Sequence, residues 1–350
     1  MRFAHPFWFL LVFVALVPIV LVSIFHENFA GESAVIKVDN FLLGTLVEIQ
    51  VWAEQLGDSG LRLATQQAFD EILKVENEMS LNVGGSVVQK INESAGQDQV
   101  TAPASLVSVL DSARRVSELS GGAFDVTIGA VYRLWDFASE DGARPPAPGA
   151  IAENLQNVDY TRVEFSATSG TVRLPAKGMR LDLGGLAKGY AIDAAVRALK
   201  DAGAQNFIVN AGGDMFISGR RLNGERWRIG VRHPRRPGEL MCTLFLTDCA
   251  VVTSGDYERR FEYNGNLYHH ILDPKTGYPA TACQSATVVA KEATVADALA
   301  TAVFVMGPKR GLQLVDRLTG VEALIVDADG MHWHSKGFAQ FLPGGSPASR

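Results

Sequence analysis

The stretch LDLGGLAKGYAIDAA, residues 181–195, decides the fold class. Alternating leucines run into paired glycines at Gly184 and Gly185, and small and apolar residues at helical spacing follow. The order predicts a strand end, a glycine turn and a helix over Ala187–Ala202. Such a turn lets a ligand approach the main chain and offers unpaired N–H groups to anions. It is neither a P-loop, since G-x-x-x-x-G-K-[ST] is absent, nor the G-x-G-x-x-G of a dinucleotide-binding βαβ unit. A hydride-transferring enzyme of that type is therefore not supported.

Outward from this turn the pattern keeps alternating. FLLGTLVEIQVW, from Phe41 to Trp52, reads as a strand. Leu61–Asn77 and Ser105–Ser120 carry apolar residues at helical spacing, and Gly121-Gly122 ends the second helix. DGARPPAPG, Asp141–Gly149, reads as a loop; Asn206–Ser218 and Arg226–Val231 read as strands, and Ala293–Met306 as a helix. Ala323–Asp327 and His332–His334 suggest a closing hairpin around Asp329-Gly330. This is an α+β or α/β pattern with strand order open. Over 350 residues with 47% hydrophobic content it buries a large core. The net charge of −6 argues against a nucleic-acid partner. Arg232, His233, Arg235 and Arg236 form the densest basic cluster and, with two prolines among them, read as a solvated loop.

The amino terminus is different. Phe7 to Phe25, FWFLLVFVALVPIVLVSIF, is almost wholly apolar, with Arg2 before it and Glu27 after it. At about 1.5 Å per residue it comes close to the roughly 30 Å of a bilayer core. The leading positive charge predicts that the rest of the chain is exported; no convincing small-x-small cleavage site follows, so an uncleaved signal anchor is expected, with a cleaved signal peptide as the alternative. Residues 26–40 read as a polar linker. Cys242, Cys249 and Cys283 show no C-x-x-C spacing; Cys242 with Cys249 is either a disulfide or two free thiols.

Three features carry chemistry. Glycine pairs at 121–122, 184–185 and 212–213 each precede a charged residue: Asp125, Lys188 and Asp214. In EATVADALATAVFVMG, Asp297 and Thr301 are four residues apart on one helical face, and their hard oxygens suit magnesium better than zinc. Asp297 otherwise reads as a helix-dipole partner. In TSGDYERRFEYNGNLYHHILDPKTGYP, a turn at Tyr263–Asn266 brings the TSGD and HHILDP ends together. His270 there is a candidate base, oriented by Asp273, or else part of a plain polar hairpin.

Taken together, LLGTLVEI, MSLN with Ser86 and Asn92 downstream, GGAFDVTIGAVYRLW, LDLGGLAKGYAIDAA, NAGGDMFISG, TSGDYERRF, HHILDPKTGYP and ADALATAVFVMG resemble, in order, the ApbE family of FAD:protein FMN transferases. The resemblance runs from about Phe41 to Phe341. It implies an α+β, two-lobed unit over 41–345 with mixed sheets and flanking helices, and FAD in the cleft. It implies Mg2+ held by Asp297 and Thr301 with main-chain oxygens near Gly185 and Ala300. Flavin contacts fall on Leu43, Asn82, Ala123, Phe124, Asp125, Asp182, Lys188 and Ile271, and His270 and Asp297 are the expected catalytic residues. The anchor places the catalytic unit on the periplasmic side of the inner membrane and suggests an acceptor flavoprotein subunit at the same membrane face, of a membrane or periplasmic redox complex. A flavin-binding protein without chemistry and an FAD pyrophosphatase are the alternatives. Two positions depart from the family: Leu43 stands where Met is common, and Asn82 where some members carry an aromatic ring, which removes a stacking surface for the flavin.

Overall fold

The computed structural model describes residues 35–53, 55–137 and 143–344. In chain order the strands are β1 (Val35–Leu42), β2 (Thr45–Trp52), β3 (Val100–Thr101), β4 (Glu164–Ser166), β5 (Thr171–Arg173), β6 (Asn206–Ala211), β7 (Asp214–Ser218), β8 (Trp227–Arg232), β9 (Leu240–Leu246), β10 (Cys249–Gly255), β11 (Arg260–Tyr263), β12 (Asn266–His269), β13 (Cys283–Ala290), β14 (Glu322–Asp327) and β15 (His332–His334). The helices are α1 (Gly57–Met79), α2 (Val87–Glu93), α3 (Ala104–Ser120), α4 (Gly129–Tyr132), α5 (Pro148–Leu155), α6 (Ala187–Asp201) and α7 (Ala293–Val315).

Eight strands form one sheet in the order β1-β2-β6-β7-β10-β13-β14-β15. Each strand pair among the described residues is antiparallel, where mixed sheets were expected. The reason lies in the tight turns. At Gly212-Gly213 both residues take positive φ, 64° and 105°, so β6 folds straight back as β7. The α+β expectation holds.

Helices α1, α6 and α7 share a buried core with the sheet. Phe304 of α7 is fully buried there, a burial that stabilises by about 2–3 kcal/mol. Helices α6 and α7 touch through small residues. A Cβ on Gly189 would lie 2.2 Å from the Ala293 carbonyl oxygen, so only glycine permits the approach. A second cluster seats the β8–β9 ribbon against Ile217, Val251 and Val289 of the sheet. A third, aromatic block gathers Trp135, Phe137, Phe261 and Tyr268 near the β11–β12 hairpin.

Several boundaries move. The run read as one strand over 41–52 is the end of β1, a turn and β2. The turn is Leu43-Gly44, with φ of 57° and 69°, and the Leu43 N–H donates to Glu76 Oε1 at 2.8 Å. β1 begins at Val35, inside the segment read as linker, because Ile36 is buried and the strand pairs along its whole length with β2. Leu181–Leu183 form no strand. They are extended but held by side chain and loop: the Leu181 N–H donates to Asn92 Oδ1, and the Asp182 N–H to the Val126 carbonyl. α5 starts at Pro148, inside the expected loop, with proline in its first turn. α7 runs past Met306 to Val315 but is broken at Gly307, φ 77°, ahead of Pro308. All three cysteines are free, so the Cys242–Cys249 alternative resolves to thiols; burial pushes Cys249 and Cys283 up to about 12. No helix among the described residues is long and apolar enough to cross a membrane; the apolar run 7–25 lies outside those residues.

Candidate active site

A cleft of ≈ 1180 Å³ opens beside the end of the large sheet, between the β1–β2 turn, the start of α6, the middle of α7 and the aromatic block. Leu43, Asn82, Ala123, Phe124, Asp125, Asp182, Gly185, Lys188, His270, Ile271, Asp297 and Thr301 all line it. Ala300 does not; it is fully buried in the core.

The glycine pairs serve different ends. Gly121, φ 62°, stops α3 in the left-handed conformation and delivers Ala123 and Phe124 to the wall. Gly185 takes no positive φ, but a Cβ there would lie 3.0 Å from the Phe124 ring and 3.4 Å from Thr301 Oγ1. Its missing side chain keeps open the path between α6 and α7. No side chain caps α6.

Asp297 is buried and accepts one hydrogen bond, from the Gly189 N–H at 3.0 Å. Burial, then the charge of Asp214, pushes its carboxyl up to about 7. One turn on, Thr301 Oγ1 lies 3.3 Å from Ser254 Oγ. Lys188 pairs with buried Asp214, whose other oxygen accepts from the Thr253 N–H at 3.3 Å. Burial alone would lower the lysine, but Asp214 and Asp297 outweigh it and hold the ammonium charged. Among the described residues no three His, Cys, Asp or Glu side chains converge as a metal cluster.

The two histidines of HHILDP part company. His269 is buried and satisfied: Nδ1 accepts from the Ile271 N–H at 3.3 Å, and Nε2 donates to the Ala280 carbonyl at 2.8 Å. His270 faces the cleft, and its Nδ1 is buried with no hydrogen-bond partner. Burial, then Arg259 and His269, push this imidazole down to about 3, so it is neutral at physiological pH. Asp273 does not orient it; that carboxylate accepts from the Lys275 N–H of its own turn.

Other expected contacts are already engaged. Asp125 accepts from the Thr127 N–H at 2.7 Å, from Thr127 Oγ1 at 2.5 Å and from the Tyr160 N–H at 2.9 Å. It fixes the wall's backbone more than it offers oxygens to a ligand. Asp182, its pKa raised by burial, accepts from the Gly184 N–H at 2.8 Å. Asn82 is exposed at the rim.

Residues missed in the sequence also line the cleft: Tyr132, Trp135, Arg232 and Arg259. Tyr132 and Trp135 stand in VYRLW, Arg232 in VRHPRR and Arg259 in DYERR, where aromatics and charge resemble ordinary core and solvated surface. The basic loop is not wholly solvated either, since Arg235 grips buried Asp256 with two hydrogen bonds of 2.6 Å and anchors the TSGD turn.

Residues 43–325 match the profile of the ApbE family. The chain is 35% identical to a FAD:protein FMN transferase of Treponema pallidum, covering 82% of this chain and 83% of that protein. It is 30% identical to a protein of the same name from Haemophilus influenzae, over 85% and 88% of the two chains. The structure resembles the crystal structure of the ApbE protein of Thermotoga maritima with a TM-score of 0.81 and 36% identity, covering 88% of this chain and 99% of that one. It also resembles the flavin transferase ApbE of Vibrio cholerae, TM-score 0.77 and 25% identity, over 89% and 100%. With this cleft and these matches across most of its length, the chain belongs to the ApbE family.

Proposed function

We propose that this chain is a flavin transferase that moves FMN from FAD to a Ser or Thr hydroxyl of an acceptor protein. The observation that carries the reading is the neutral His270, with an unpartnered Nδ1, in the same cleft as Asp297 and Thr301 of α7. The acceptor oxygen attacks the FMN-side phosphorus, and a new P–O ester bond forms. The anhydride P–O bond breaks, and AMP leaves with its electron pair. His270 accepts the hydroxyl proton, its neutral ring leaving a nitrogen lone pair for it.

The donor set suits Mg2+. Asp297 offers a buried carboxylate with one hydrogen bond, Thr301 and Ser254 add hydroxyl oxygens, and the bare Cα of Gly185 leaves room. Asp297 and Thr301 would hold the ion; when bound, it offsets charge on the diphosphate oxygens. Lys188, kept charged by Asp214, positions a phosphate near the α6 start. Leu43, Phe124 and Ile271 give the flavin an apolar seat.

The apolar run 7–25 supports placing the enzyme at the inner membrane with its cleft on the periplasmic side, beside an acceptor subunit of a redox complex. The test co-expresses the chain with periplasmic redox subunits and looks for FMN mass covalently attached to a Ser or Thr. An acceptor modified equally without this chain contradicts the proposal.

A further inference from the structure

Three cations line the cleft: Lys188, Arg232 and Arg259. Two are neutralised within the protein. Lys188 pairs with Asp214, and Arg232 with Glu258 at 2.8 Å. Arg259 is exposed and, among the described residues, forms no ion pair with a carboxylate. Tyr132, a phenol whose pKa is raised by burial and then by Asp182, lines the same cleft. A guanidinium with no carboxylate partner among the described residues is suited to an anionic ligand.

Its place relative to His270 is set by the backbone. The His270 N–H donates to the Arg259 carbonyl at 3.1 Å, just beyond the Arg260–His269 pair that opens the β11–β12 hairpin. Arg259 and His270 therefore enter the cleft from the same hairpin end. The hairpin is itself tied down, since Asp256, three residues before Arg259, is held by Arg235. Arg259 lines the same cleft as His270, Lys188 and Asp182.

We infer that Arg259 is a catalytic residue that grips the non-bridging oxygens of the phosphate under attack, beside the histidine that takes the nucleophile's proton. This deepens, and rests on, the proposed transfer from FAD. Arg259 gives a planar two-point grip, and charge gathering on the phosphate oxygens strengthens it as the new bond forms. It also accounts for a cation that, among the described residues, pairs with no carboxylate. A paired guanidinium would have to break one ion pair to make another.

The experiment measures AMP released from FAD in the presence of magnesium chloride, with water as the attacking hydroxyl, alongside FAD affinity from flavin fluorescence. Arg259→Ala is expected to release AMP about a hundredfold more slowly at saturating FAD, with affinity reduced by less than about tenfold. Added guanidinium chloride at low millimolar concentration recovers part of that rate in Arg259→Ala and none in the unaltered chain. Arg259→Lys, which keeps the charge but loses the fork, is expected to be about tenfold slow, and it carries the test if the alanine variant does not fold. The unaltered rate in either variant overturns the inference, as does a slow alanine variant that guanidinium leaves unchanged. If the unaltered chain releases no AMP and labels no acceptor, the proposed function itself falls, a result separate from any difference between variants.

Discussion

Two buried carboxylates meet at the contact between α6 and α7, and they are not alike. Asp193 accepts from the Ala293 N–H at 2.9 Å, the Thr294 N–H at 2.8 Å and Thr294 Oγ1 at 2.6 Å. It caps α7 from a neighbouring helix and has little left to offer. Asp297, one turn along the same helix, accepts a single bond and borders the cleft. Its carboxyl is pushed up to about 7, while Asp193 is fully engaged in holding the helix start. Both are buried aspartates; the number of hydrogen bonds each accepts separates the carboxylate that holds the helix start from the one proposed to act in the cleft. His269 and His270 repeat the lesson, one with both nitrogens bonded and the other with Nδ1 unpartnered.

The largest expected effect breaks the first pair. Asp297→Asn should slow flavin transfer about a thousandfold, while the melting temperature holds or rises because a buried charge is gone. Asp193→Ala should do the reverse. It strands two N–H groups and a hydroxyl, costing about 3 kcal/mol of stability in a denaturant titration, with the rate per folded molecule little changed. Next comes the helix contact that sets both carboxylates. Gly189→Ala drives a methyl into the Ala293 carbonyl and should cost about 1–3 kcal/mol, along with the bond from the Gly189 N–H to Asp297. The smallest effect sharpens the histidine pair. The imidazole of His270 sits near 3 when folded, against about 6.5 when unfolded. Below about 6.5 the unfolded chain binds the extra proton, so this residue's contribution makes stability fall as pH drops toward 3 and leaves it flat above 6.5. The His270 ring resonance should therefore stay constant from pH 8 to pH 5, and His270→Ala should flatten the acid slope. A ring that titrates near 6.5 contradicts the assignment.

Much of this was legible in the sequence. Helices α1, α3 and α6 fall within four residues of the spacing-based boundaries, because one face of each is buried at a 3.6-residue period. The β1–β2 turn was hidden because Leu43 adopts a positive φ that glycine usually occupies. The 181–183 segment looked like a strand because its leucines alternate, yet it pairs with a side chain and a loop instead of a ladder. Spacing alone brought Asp297 and Thr301 to one face, but it could not say that Asp193 was already saturated, since its partners lie about 100 residues away. Arg259 stayed out of sight for a similar reason. Whether an arginine is paired depends on distant carboxylates, and a local run of charge does not reveal them.

The central claim is that the under-bonded oxygens of Asp297 seat a divalent cation for the chemistry on FAD. The direct measurement is AMP release from FAD as magnesium is titrated, in the intact chain and in Asp297→Asn. The account predicts a saturating rise in the first and a flat, near-zero line in the second. An Asp297→Asn curve with the same midpoint and plateau as the intact chain would contradict it.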